Sequence, residues 1–223
     1  MITKHRPGLV LILLLLLLTG CSSRVRYPNY YSLTSAAPTL EPKSVDLHLS
    51  ATLAVRNFET PEYLRQGRIV YRQSPEEIGF YDYHRWAADP GVAVTTSVIE
   101  SLRSSNLFSV VEPYDGRSRP QYILSGRVDR LDEIDYKGGV KVEARISAQL
   151  LDTRTGALVW ANTATETSDV PSRSVSAVVA AMNHAAQSGV DQLVASLGQQ
   201  LSGLKMAQGS MAQDSGTTTA LTK

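Results

Sequence analysis

Two side chains have the types and spacing for general acid–base work. Asp82 and His84 stand two residues apart, as they would on one face of a strand, with Glu76, Glu77 and Arg85 nearby. Such chemistry also needs a nucleophile and a closed pocket, and the surrounding residues declare neither, so a solvated polar edge is the simpler expectation. Of the four histidines, His5 lies in the leading segment expected to be removed, and His48, His84 and His184 stand alone without the repeated spacing that metal ligation requires. There is no GxSxG elbow, no Gly-rich phosphate loop and no HExxH run, so no enzymatic activity, cofactor or metal is expected. The run Asp152 to Gly156 has the composition of a tight turn and is given no chemistry. With 22 basic against 21 acidic side chains in 223 residues, the chain has no excess of cations to meet a phosphate backbone. Nucleic acid is therefore not an expected partner.

The single cysteine, Cys21, excludes an internal disulfide and any site built from two thiolates. Lys4 and Arg6 precede an unbroken apolar run from Leu9 to Leu18, and Thr19, Gly20 and Cys21 follow it. That is the layout of a signal peptide over residues 1–20. At about 1.5 Å per residue the run covers roughly 15 Å, half the hydrocarbon thickness that a spanning helix crosses. The order Leu18-Thr19-Gly20-Cys21 resembles the bacterial lipobox, whose cysteine becomes diacylated and then N-acylated. Cys21 is thus expected to be a membrane tether, because two or three acyl chains anchor durably where one does not. Ser22 occupies the position at which lipoproteins kept in the inner membrane carry Asp, so the resemblance points to the periplasmic face of the outer membrane.

A third group of residues suits recognition rather than chemistry. Tyr71, Phe80, Tyr81, Tyr83 and Trp86, with His84 among them, fall within sixteen residues of a chain that is only 7% aromatic. Aromatics with a polar tip are favoured at interfaces. About half of them are expected to fill the core and the rest to form a partner-binding edge.

The elements that must position these residues follow from the changing period of the apolar side chains. Residues 21–44, with Pro28, Pro38 and Pro42, read as a lipidated flexible tether, except for a sticky spot at Tyr30, Tyr31 and Leu33 suited to a short edge strand or a docking contact. Alternation over Val45 to Val55 gives a first strand. Arg68–Arg72 and Ile78–Tyr83 flank a turn and read as a hairpin. Asp89-Pro90-Gly91 starts a helix running to about Ser104, with Val94, Val98, Ile99 and Leu102 on one face. Leu107–Val111, Tyr122–Val128, Val140–Leu150 and Leu158–Thr167 alternate as strands. The spacing from Val175 to Leu204 gives the strongest helix, and Ala207–Lys223 lacks any apolar stripe, so residues 205–223 are expected to be a disordered tail. The expected fold is α+β over residues 45–204: an antiparallel sheet with two main helices on one face and a β-hairpin insertion.

Tyr30-Tyr31-Ser32-Leu33 after the lipobox, Tyr63-Leu64, Ile69-Val70-Tyr71-Arg72, and then Tyr81, His84-Arg85-Trp86-Ala87 and Pro90 together resemble the ABC-type transport auxiliary lipoprotein family, the PqiC-like lipoproteins. The resemblance runs from about residue 30 to residue 200. It implies an outer-membrane auxiliary subunit of a Mce-type ABC system that moves phospholipid or another apolar substrate. The partner would be a Mce-domain periplasmic protein met by the hairpin aromatics, in a role that supports membrane integrity. Two other readings stay open: a periplasmic carrier that binds phospholipid directly, and an outer-membrane assembly or secretion lipoprotein. Edge strands permit a homo-oligomer without requiring one.

Overall fold

The computed structural model describes residues 25–34, 48–136 and 138–217, with side chains up to residue 206. The expected signal peptide 1–20 and Cys21 lie outside the described residues, as do residues 35–47 of the tether and the start of the expected first strand.

The elements in chain order are β1 (Asn29–Tyr31), β2 (Leu49–Val55), α1 (Glu62–Arg65), β3 (Arg68–Arg72), β4 (Gly79–Trp86), α2 (Pro90–Ser105), β5 (Phe108–Pro113), β6 (Tyr122–Ile134), β7 (Lys141–Asp152), β8 (Leu158–Asp169) and α3 (Val175–Thr217). Tyr30 and Tyr31 of the sticky spot thus lie in a strand, Leu33 beyond it packs against the core, and α3 continues past the expected boundary near residue 204. Residues 218–223 lie outside the described residues.

The α+β class is as expected. The eight-stranded sheet expected as antiparallel is mixed, and connection length explains its parallel pairings. Strands joined by short turns are antiparallel: β3 with β4, β6 with β7, and β7 with β8. Strands separated by a helix or a long excursion arrive parallel, as β2 does with β5, and β2 and β3 with β6. β6 is the axis. β7 runs along one of its edges from Tyr122↔Asp152 to Ile134↔Lys141. The other edge is shared, β2 pairing at Tyr122–Leu124 and β3 at Asp132–Ile134.

Alternation places the core. On β7, Val142, Ala144, Ile146, Ala148 and Leu150 are buried, whereas Arg145, Gln149 and Leu151 are exposed. α3 supplies the matching stripe, with Val178, Met182, Val190 and Leu197 inaccessible to solvent or nearly so. Each such buried side chain contributes roughly 1.5–3 kcal/mol. α2 starts as its sequence requires: the Gly91 N–H donates to Asp89 Oδ1 at 2.7 Å, Pro90 takes the first turn, and Asn106 ends the helix at φ 55°. Gly126 is needed for close approach, because a Cβ there would lie 2.3 Å from the Phe58 ring and 2.5 Å from the Ser147 carbonyl oxygen.

Candidate functional site

The aromatic hairpin is bent before it is decorated. Arg68 pairs with Arg85 and Val70 with Phe80, so two steps along β3 face five along β4, and Tyr81 to His84 stand opposite the single residue Ile69 in a bulge. Beyond the bulge, β4 presents its outer edge to β1 in parallel register, Asn29↔His84, Tyr30↔Arg85 and Tyr31↔Trp86. The Ala87 N–H donates to the Tyr31 carbonyl at 2.8 Å, and the Trp86 N–H donates to the Gly67 carbonyl at 2.7 Å.

A chain of rings locks this edge. Tyr71 meets Tyr81 edge-on at 5.2 Å between centroids, Tyr81 meets His84 at 5.7 Å, and His84 meets Tyr31 at 5.7 Å. The Tyr31 hydroxyl is 2.9 Å from His84 Nδ1. Gly79 makes room for the first ring, since a Cβ there would fall 2.2 Å from Tyr71. At the inner end the Tyr81 O–H donates to Glu133 Oε2 at 2.7 Å. Burial pushes the Tyr81 hydroxyl up, reinforced by that hydrogen bond, and burial also holds the Glu133 carboxyl above its ordinary range.

One residue along β6 the alternation turns to the other face and a second polar group. Asp132 is fully buried and takes Arg72 Nε at 2.5 Å. Arg130 bridges Asp132 at 3.7 Å and Glu143 at 2.9 Å. Burial raises the Asp132 carboxyl, against the pull of the Arg72 hydrogen bond. Burial would lower Arg72, but Asp132 beside it leaves it raised. The Tyr63 hydroxyl, shielded by burial and close to the Asp132 charge, is pushed up to about 12. Tyr63 and Leu64 belong to α1, which the apolar period did not reveal because it is a single turn. Asp132 and Glu133 were also missed as site residues. Arg72 stood in the family motif, but its partner sixty residues away has no local signal.

The six hairpin candidates therefore separate. Trp86 is core, at 4% exposure. Tyr71 and Tyr81 are half-buried within the ring chain, and His84 is half-buried against Tyr31. Phe80 is half-buried with the Arg68 guanidinium 5.9 Å from its ring centroid. Tyr83 is exposed, with Arg26 5.8 Å above its ring. Asp82 is exposed, while His84 Nδ1 is engaged by Tyr31. Among the described residues no group of three or more His, Cys, Asp or Glu could hold a metal ion, and no helix is long and apolar enough to cross a membrane. Clefts open on two parts of the described surface. One, of about 480 Å³, crosses the β6–β7–β8 face through Arg127, Ser147 and Gln149, and the other, of about 390 Å³, lies between Leu33 and α2.

The family model for the ABC-type transport auxiliary lipoprotein component matches residues 31–208. The crystal structure of protein XCC0632 from Xanthomonas campestris has the same fold, with a TM-score of 0.69 at 22% identity over 81% of this chain and 99% of that one. A crystal structure of a second, uncharacterised protein gives 0.61 at 16% identity over 77% and 99%. No curated protein matches the chain.

Proposed function

The chain belongs to the ABC-type transport auxiliary lipoprotein component family, and on that premise we propose that it is the noncatalytic, outer-membrane docking subunit of a Mce-type ABC system. In this reading acylated Cys21 fixes the domain to the periplasmic face of the outer membrane. The domain then receives a Mce-domain protein that carries phospholipid or another apolar substrate, and so contributes to membrane integrity. The family match across most of the chain is the observation that carries the proposal.

The geometry supports a docking part over a carrier. The helix–sheet interface is filled by Leu131, Ile146, Leu150, Met182 and Leu197, side chains packed where the acyl chains of a carrier would have to lie. Of the hairpin candidates, Tyr83 is exposed, and Phe80 and His84, like Tyr71 and Tyr81 in the ring chain, keep part of their surface to offer a partner, whereas Trp86 is buried in the core.

Affinity purification of the full-length lipoprotein from detergent-solubilised envelopes, with mass spectrometry of the protein and lipid fractions, tests this reading. Recovery of a Mce-domain protein is the expected result. Stoichiometric phospholipid without any transporter component would make the protein a carrier, and recovery of secretion or assembly components alone would move it to another envelope machine.

A further inference from the structure

The residues nearest the lipobox cysteine in sequence are also among the most exposed apolar side chains of the molecule. Val25 is 69% exposed, Tyr27 81% and Tyr30 64%, and Tyr83, at 44%, joins them on the neighbouring strand. β1 carries Tyr30 beside β4, and Val25 and Tyr27 lie just ahead of it in the chain. Tyr30 is paired in register with Arg85, so both side chains leave the β1–β4 edge on the same side, and Arg26 lies over the Tyr83 ring. Asp82 is the exposed acid of the same stretch of β4.

Tyrosine combines an apolar ring with a polar tip and suits the headgroup level of a bilayer. Arginine beside it complements anionic headgroups. Chain length supplies the second constraint. A fully extended backbone spans at most about 3.6 Å per residue, so Val25 lies within about 14 Å of Cys21, Tyr27 within about 22 Å and the first residue of β1 within about 29 Å. A free tether through Ser44 would reach roughly 80 Å at the same rise. Pairing of β1 with β4 removes most of that reach.

We infer that the β1–β4 edge, through Tyr27, Tyr30, Tyr83, Arg26 and Arg85, rests on the surface of the bilayer that takes the acyl chains of Cys21. The folded domain is seated on the membrane instead of being suspended from it. Tyr83 thereby passes from partner contact to membrane contact, and Phe80 and His84 remain for the partner. This inference rests on the lipoprotein reading of Cys21.

Spin labels test it, because Cys21 is the one native cysteine and does not react once acylated. Tyr30→Cys and Tyr83→Cys place labels on the edge, and Val110→Cys on β5 and Leu158→Cys on β8 place them at exposed positions elsewhere. The acylated protein, purified from envelopes, is reconstituted in vesicles of phosphatidylethanolamine and phosphatidylglycerol. Power saturation then compares collisions with oxygen and with a water-soluble nickel chelate. The oxygen-to-nickel ratio at positions 30 and 83 is expected to be several-fold above that at 110 and 158. Equal aqueous accessibility at all four would overturn the inference, as would dipolar broadening at 30 and 83, which would assign the edge to a second copy. Mass spectrometry of the N-terminal peptide keeps the two claims apart. Unmodified Cys21 removes the lipoprotein reading and the seating with it, whereas acylated Cys21 with aqueous labels removes the seating alone.

Discussion

The β6–β7–β8 layer under α3 and the β1–β4–β3 edge belong to one sheet but are held by different forces. In the first, long strands, with one register shift in each pairing, bury small and branched apolar side chains beneath an apolar helical stripe. In the second, short strands around a bulge are held by one ring chain and two buried polar groups, Tyr81–Glu133 and Arg72–Asp132. Apolar burial is non-directional and tolerates exchange of one hydrocarbon for another. Paired charges and aligned rings depend on each member, so the edge is the more specific region and the easier one to break.

The largest effect is expected at the buried ion pair. Arg72→Met leaves the buried Asp132 with only its longer contact to Arg130, at 3.7 Å, which costs about 3–5 kcal/mol, and the double variant Arg72→Met/Asp132→Leu recovers most of the loss. Urea unfolding of the two variants measures both. A mild effect of the single change would show that Arg130 suffices for Asp132. In the apolar layer, Gly126→Val drives a branched side chain into Phe58 and the Ser147 carbonyl. A loss of about 1–3 kcal/mol, spread over the whole cooperative unit, is expected, and thermal unfolding reads it.

A smaller change sharpens the contrast. Tyr31→Phe removes the hydroxyl from His84 and leaves the core intact. Hydrogen exchange should show the Ala87 amide opening more easily by about 0.5–1.5 kcal/mol, with amides of β7 unchanged. Uniform loss of protection would mean that edge and body unfold together. The least effect is on pH dependence. Glu133 is raised by burial, so the folded state holds its proton more tightly than the unfolded chain. Its contribution to stability is complete below the ordinary value of 4.5 and is lost as pH rises through the folded value. Glu133→Gln should flatten the stability profile in that window, and an unchanged slope would assign the dependence elsewhere.

The two regions were also unequally legible. The alternation of Val140 to Leu150 and the three- and four-residue spacing from Val175 announced β7 and α3, because each residue's period is set by burial against a flat neighbour. Asp89-Pro90 announced the start of α2 for a local reason, the cap it forms. β6 was read only to Val128, since the irregularity between Val128 and Arg130 breaks the period and Arg130, Asp132 and Glu133 look like a solvated end. Their burial comes from partners on β3, β4 and β7, which no local pattern carries. The aromatic cluster was found by composition, but composition does not say which rings turn inward. The parallel pairings were invisible for a similar reason: a period of two is the same in either direction.

Photocrosslinking in living cells tests the docking role most directly. A benzoylphenylalanine replacing Phe80, which keeps an aromatic ring at the half-buried hairpin position, is compared with one replacing Ser147 on the uncovered sheet face. Position 80 should yield an adduct with a Mce-domain protein and position 147 should not. Adducts from position 80 that contain only phospholipid, or only proteins of another envelope machine, would contradict a docking subunit of a Mce-type transporter.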